Sequence, residues 1–184
     1  MAKLSMHDRL RAPEGLDLST IDPAGTPGFS GGKQKGKQRL ASLAPQLAAL
    51  QERLYAEGRG GGRRSLLLVL QGMDTAGKGG TVKHVVGQVD PMGVRYTAFK
   101  APTKEEREHD FLWRIRKALP EPGVVGVFDR SHYEDVATVR VHDLVPSRVW
   151  SRRYDAINRF EERLLLRGTT VVKCFLHISK EEQK

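Results

Sequence analysis

The sequence has a single cysteine, Cys174. One thiol excludes an intramolecular disulfide and a zinc site built on cysteines; in its apolar run it reads as buried filler. Long hydrophobic stretches are also missing. The longest apolar run is Leu66–Leu70, against the roughly 20 residues that a membrane-spanning helix needs. The opening MAKLSMHDRLRAPEG holds no apolar segment of the kind that begins a secretory leader, so the expected location is the cytoplasm, with no membrane partner. Aromatic residues are only 7% of the chain and form no stacking motif. With no helix-turn-helix signature and no zinc-finger spacing, specific nucleic-acid recognition is not expected.

What is abundant is positive charge. Thirty-one Lys and Arg face 22 Asp and Glu, a net charge of +9 over 184 residues. Such a surface attracts polyanions, nucleotides and phosphate chains among them, without choosing between them. The length fits one domain. Residues 1–39, rich in Pro and Gly and ending in the basic run Lys33, Lys35, Lys37 and Arg39, are expected to form a flexible basic arm. Residues 40–184 are expected to form the core.

Within that core, Leu40, Leu43, Leu47, Leu50 and Leu54 keep helical spacing, and Pro45 suits a first turn, which moves the predicted helix start toward Ala44. From Ser65 strands and helices alternate. Predicted strands are 65–70, 94–99, 124–128 and 169–176. Predicted helices follow the glycine-rich loop 71–80, run from Thr103 to Leu119, and cover 147–167. Thr103 with Glu106, and Ser179 with Glu182, have the spacing of capping boxes. Strands separated by helices predict an α/β fold with a mostly parallel sheet. A helix announced at Ser179 and cut at Lys184 leads to the expectation that the core is incomplete at its C-terminus.

The strongest local pattern is Gly72-Met-Asp-Thr-Ala-Gly-Lys78, between a buried strand and a helix. This is the spacing of a P-loop in its required context. Glycines let backbone amides turn inward around a phosphate, the helix N-terminus adds partial positive charge, and Lys78 adds a full one. The expected phosphate-binding set is Gly72, Met73, Thr75, Ala76, Gly77, Gly79, Gly80 and Thr81 beside Lys78. Gly79 stands where a P-loop usually carries the Ser or Thr that binds magnesium. Asp74 inside the loop would repel phosphate unless a divalent cation lay between them, so Asp74 is a candidate Mg²⁺ ligand. The third strand ends in Asp129, the place of a second metal-binding carboxylate in such folds. Arg130 follows and is a candidate cation for a transferring phosphoryl group. His132 is assigned no catalytic role.

These segments resemble a known family. Gly72-Met-Asp-Thr-Ala-Gly-Lys-Gly-Gly80, Phe99-Lys-Ala-Pro-Thr103, His109-Asp-Phe-Leu-Trp-Arg114, Phe128-Asp-Arg-Ser-His-Tyr-Glu-Asp135 and Val139-Arg-Val-His142 are similar, in order and spacing, to the polyphosphate kinase 2 family. The resemblance covers roughly residues 30–184. It implies a thymidylate-kinase-like P-loop fold, a three-layer α/β/α sandwich with a helical lid beyond the strand that ends at Leu176. It implies Mg²⁺-dependent transfer of a phosphoryl group from inorganic polyphosphate to a nucleoside mono- or diphosphate such as AMP or ADP, with ATP among the nucleotides and the direction reversible in some members. It assigns metal and phosphate handling to Asp74, Lys78, Asp129 and Arg130, and phosphate contact to Lys100 and Arg114. For Arg114 a helix-surface ion pair is the competing reading. A homo-oligomer is implied by resemblance only. Two other functions fit the same residues: an ATP-dependent nucleoside monophosphate kinase, and a non-catalytic polyanion-binding fragment.

Overall fold

The computed structural model describes residues 5–184. Its centre is β1 (Ser65–Gly72), whose run of Leu and Val is flanked by a strand on each side. The order is β2 (Val94–Ala98), β3 (Val125–Asp129), β1 and β4 (Thr169–Leu176), and every pairing is parallel. Side chains alternate along β1. Leu67 and Val69 join Phe128 on one face, under Ile115, Phe160 and Leu164; the next residue, Leu70, and Val127 are fully buried as well. The chain leaves β1 toward β2 on one side and later crosses to β4 on the other. The sheet therefore has its switch point at β1 and β3, where ligands of open parallel sheets bind beyond the carboxyl ends of the strands. The parallel α/β class is as expected, as is the Pro146-led helix α7 (Ser147–Leu166), anchored by Ile157, Phe160 and Leu164 at one helical face.

The departures have local causes. A short α1 (Met6–Leu10) and a 3₁₀ turn at Leu18–Thr20 precede α2 (Lys33–Arg59), which starts at Lys33 rather than near Ala44. The basic run thus lies on the first turns of a helix, and Pro45 sits inside it. Pro45 removes one hydrogen bond, to the carbonyl of Ala41, and 27 residues of helix absorb that loss. The predicted apolar stripe of α2 is only partly covered: Leu43, Leu47 and Leu50 are exposed, while Gln51 is buried. Residues 1–4 of the expected arm lie outside the described residues.

The helix expected from Thr103 to Leu119 is two helices, α4 (Lys104–Arg107) and α5 (Trp113–Ala118). The Thr103–Glu106 capping box is formed in full. Asp110 then accepts from the Leu112 amide at 3.1 Å, an Asp-turn that restarts the chain in a new direction. The helix after the glycine-rich loop, α3 (Lys78–His84), gives way to a 3₁₀ turn at Val86–Gln88. An additional helix, α6 (Glu134–Val141), was not anticipated. Ser179 caps the short α8 (Lys180–Gln183) through the Glu182 amide. Cys174 is half-buried rather than fully buried, and burial raises its thiol pKa. Among the described residues no helix is long and apolar enough to cross a membrane.

Candidate phosphate-binding site

The loop after β1 is shaped by two glycines. Gly72 has φ 151°, and a Cβ there would meet the Leu176 carbonyl oxygen at 2.7 Å. Gly77 has φ 91° and opens α3 from the left-handed region, which only glycine enters freely. Between them Thr75, a β-branched residue, also has positive φ, 67°. Backbone strain of this kind persists where the surroundings over-determine it, as in binding loops. Lys78 is the first helical residue and is only 8% exposed. Its ammonium folds back over the loop and donates to the Gly72 carbonyl at 2.9 Å and the Met73 carbonyl at 2.8 Å. A buried charge held this way is oriented before any ligand arrives.

The loop forms one wall of an open cavity of about 580 Å³. Asp74, Thr75, Ala76, Gly77, Lys78 and Gly79 line it on this side, and Ala98, Phe99, Lys100, Asp129 and Arg130 line it opposite. The structure thus gathers Asp74, Lys78, Lys100, Asp129 and Arg130, which the sequence spreads over 57 positions, around one space. Asp129 closes β3, where its carbonyl accepts from the Phe99 amide at 3.0 Å; the next amide, of Arg130, donates to the Leu70 carbonyl at 2.9 Å. Arg130 itself has φ 64°, and its guanidinium forms an ion pair with Asp74.

Gly72, Met73, Gly80 and Thr81 do not line this cavity. The first two give their carbonyls to Lys78, and the Thr81 hydroxyl donates back to the Gly77 carbonyl at 3.2 Å. Arg114 is neither a surface ion pair nor a member of the cavity wall. It is 8% exposed, donates to the Lys100 carbonyl at 2.8 Å and to Asp135 at 3.3 Å, and lies 3.6 Å from Glu106. It supports the backbone of Lys100 from below and lines a second cavity, of about 400 Å³, that shares Ala98, Phe99 and Lys100 with the first. Trp113 is half-buried; it stacks on His109 at 4.1 Å and carries Lys117 over its ring.

Sequence reasoning missed Tyr96. Its hydroxyl donates to Asp129 Oδ2 at 3.1 Å from the neighbouring strand. Partial burial and the Asp129 carboxylate both push the phenol pKa up, so it remains a donor at neutral pH. No motif marks Tyr96; only the parallel register, which sets Ala98 beside Asp129 and Tyr96 beside Val127, brings it there. Glu161 and Lys173 were missed too. They meet His132 and Tyr133 behind the site: Glu161 accepts from Tyr133 at 2.7 Å and from Lys173 at 2.7 Å. Burial alone would raise the Glu161 pKa, but hydrogen bonds from His132, Lys173 and Tyr133 hold it down to about 2. Burial and the Glu161 carboxylate push Tyr133 up to about 12. His132 is fully buried and does not line the cavity.

Chemically, the cavity offers three cationic side chains, Lys78, Lys100 and Arg130, and two carboxylates, Asp74 and Asp129, on one space. That set suits a phosphate chain accompanied by a divalent cation. The sequence model of the family described as polyphosphate kinase 2 matches residues 31–184. The chain is 48% identical over 173 residues to the AMP/ADP-polyphosphate phosphotransferase of Meiothermus ruber, covering 94% of this chain and 63% of that one. It is 40% identical to the ADP-polyphosphate phosphotransferase of Rhodopseudomonas palustris, covering 96% and 63%. The chain therefore spans somewhat under two thirds of the length of these curated relatives. The crystal structure of polyphosphate kinase 2 from Arthrobacter aurescens TC1 superimposes with a TM-score of 0.92 at 58% identity, over 95% of this chain and 62% of that one. A family model matching residues 31–184, relatives 40% and 48% identical over nearly all of this chain and a shared backbone lead to a single assignment: the chain belongs to the polyphosphate kinase 2 family.

Proposed function

We propose that this chain carries the phosphate-handling core of a polyphosphate:nucleotide phosphotransferase, which moves a terminal phosphoryl group from inorganic polyphosphate to AMP or ADP. With ADP as acceptor the product is ATP. The observation that carries the reading is the meeting of Lys78, Lys100, Arg130, Asp74 and Asp129 around one cavity. The names of the relatives, each a polyphosphate phosphotransferase, support the choice of donor.

Both reactants are phosphate chains. The terminal phosphate of the acceptor is already largely ionised at pH 7, since the second phosphate pKa is about 6. No general base is required, and the obstacle is repulsion between two polyanions. Lys78 and the loop amides hold one phosphate group. Arg130 lies across the same space, where a guanidinium offsets charge on the group in transit. Lys100 adds a second cation on that wall. In-line placement of donor and acceptor then does the rest.

Mg²⁺ fits this site as a cofactor. Among the described residues no cluster of three or more His, Cys, Asp or Glu could hold a metal with protein ligands alone. Mg²⁺ does not require one, because it is commonly bound by one or two carboxylates with water and substrate phosphates completing the shell. Asp74 and Asp129 are the two carboxylates on the cavity wall. When bound there, Mg²⁺ would neutralise charge on the phosphate oxygens.

The test is nucleotide chromatography with polyphosphate as the sole donor, run with AMP and with ADP, and with ATP replacing polyphosphate in a parallel arm. Conversion with polyphosphate that Lys78→Ala abolishes supports the reading. Conversion of AMP only when ATP is the donor replaces it with a nucleoside monophosphate kinase. Binding of polyphosphate with no conversion by any donor leaves a polyanion-binding protein.

A further inference from the structure

Arg130 is a non-glycine residue held at φ 64°, and the hydrogen bonds just before it do not account for that. The Asp129 carbonyl and the Arg130 amide are fixed by Phe99 and Leu70, as any strand end would be. The constraint on the other side is unusual. Ser131 and His132 are fully buried, and the residues that follow Arg130 are tied through side chains to two distant elements. Tyr133 donates to Glu161 Oε1 at 2.7 Å. His132 Nε2 lies 3.2 Å from the same oxygen. Lys173 donates to Glu161 Oε2 at 2.7 Å and to the Tyr133 hydroxyl at 3.0 Å. Glu161, on α7, therefore joins the loop after β3 to β4.

Packing alone already joins α7 to the sheet, through Phe160 and Leu164 against Leu67 and Val69. The path of residues 130–133 is held by the burial of Ser131 and His132, by turn hydrogen bonds from the Glu134 and Asp135 amides, and by the Glu161 carboxylate. The His132 ring is edge-on to Phe160 at 5.6 Å and tilted against the Tyr133 ring at 4.7 Å. Its Nδ1 is buried and has no hydrogen-bond partner. The Glu161 carboxylate is thus the one polar anchor of that ring among the described residues. Glu161 does not line the cavity, and the proposed chemistry gives it nothing to do there.

We propose that Glu161 is a positioning residue for Arg130: through His132 and Tyr133 it holds the loop in the path that aims the guanidinium across the cavity at Asp74. The proposal rests on the reading of the cavity as a polyphosphate site. Lys173 serves the same end by holding Glu161 ionised and in place. A fixed cation is more effective than a mobile one, because no reorganisation is needed when charge arrives.

The test is a double-mutant cycle of Glu161→Gln and Arg130→Ala in the full chain. It is read as the dissociation constant for tripolyphosphate by calorimetry and, where transfer occurs, as kcat and KM separately. A second readout needs no ligand: the Arg130 Nε–Hε cross-peak in a ¹⁵N spectrum, assigned by its loss in Arg130→Ala. Glu161→Gln is expected to weaken tripolyphosphate binding or lower kcat about tenfold while Arg130 is present. In the Arg130→Ala background the same change is expected to cost less than about twofold, and in the single variant the cross-peak moves toward the shift of a free arginine. Equal losses in both backgrounds with an unmoved cross-peak would overturn the proposal and leave Glu161 a purely structural residue. If Glu161→Gln does not fold, Tyr133→Phe, which leaves the Glu161–Lys173 pair intact, takes its place with the same criteria. A wild-type chain that binds no tripolyphosphate refutes the polyphosphate reading; the cross-peak then decides the positioning claim by itself.

Discussion

Arg130 is ion-paired with Asp74, joining the loop after β3 to the loop after β1 across the cavity that both line. Two side chains assigned to opposite partners, a phosphoryl group and a cation, hold each other. The Asp74 side chain is 74% exposed and that of Arg130 36%, and an exposed pair of this kind contributes little stability. Ligands can separate it at small cost. Arg130→Ala is therefore expected to leave the melting temperature nearly unchanged while lowering the transfer rate by about 10²–10³-fold. Arg130→Lys is expected to recover only a minor part, because an ammonium lacks the planar fork of guanidinium. Steady-state rates beside a thermal melt check both. A melting temperature that falls steeply, with the rate per folded molecule intact, would contradict the assignment.

Tyr96→Phe removes the hydroxyl that donates to Asp129. Tyr96 is 50% exposed, so stability is expected to change by no more than about 0.5 kcal/mol. The carboxylate loses a competitor for its lone pairs. The Mg²⁺ concentration that half-saturates transfer is expected to fall by about two- to threefold. A Mg²⁺ titration of both proteins checks this; an unchanged or increased requirement would remove Asp129 from the metal site.

How far such residues can be found without a structure depends on what brings them together. The Gly72–Lys78 loop and the Asp129–Arg130 strand end were legible because their chemistry is written in adjacent residues. The bounds of β4 were legible because Thr169–Leu176 is one β-rich run between Gly168 and a polar turn. α7 was legible because Ile157, Phe160 and Leu164 keep one stripe. α6 has no stripe: Val136 is its one buried residue and Val141 is exposed. Its N-cap, Tyr133, makes no side-chain capping bond that a sequence pattern would announce. Asp110 split a helix whose apolar spacing runs on unbroken, since an Asp side chain bonded to its own backbone leaves no trace in periodicity. Tyr96, Glu161 and Lys173 reach their partners only through strand register and helix docking, and so does Arg114, whose contacts with Asp135 and the Lys100 carbonyl no local pattern marks.

Acid titration provides a further prediction. The Glu161 pKa is held at about 2 against an ordinary value of 4.5. A carboxylate whose pKa is lower in the folded state stabilises that state above its unfolded pKa, and the contribution disappears as pH falls through the folded value. Glu161 is therefore expected to contribute fully above about pH 5 and to lose a stabilisation of about 3 kcal/mol between about pH 4.5 and about pH 2. Urea unfolding at stepped pH, wild type against Glu161→Gln, checks the sign. The difference between the two should shrink toward low pH; a difference that grows there would contradict the network.

Lys78→Ala removes the cation that bonds the Gly72 and Met73 carbonyls and faces the cavity. Tripolyphosphate affinity is expected to fall at least about tenfold, the loss of one charge-assisted contact in a partly buried site. Calorimetry checks it, and equal affinities would place the phosphate chain elsewhere.

The proposed function is transfer of phosphate from polyphosphate to a nucleotide at this cavity. Phosphorus NMR on the chain with Mg²⁺, polyphosphate and AMP or ADP in turn tests it most directly. The account predicts new nucleotide phosphate resonances that grow as polyphosphate ends shorten, and that are absent with Lys78→Ala and strongly reduced with Asp129→Asn. Resonances that grow equally with both variants would contradict it.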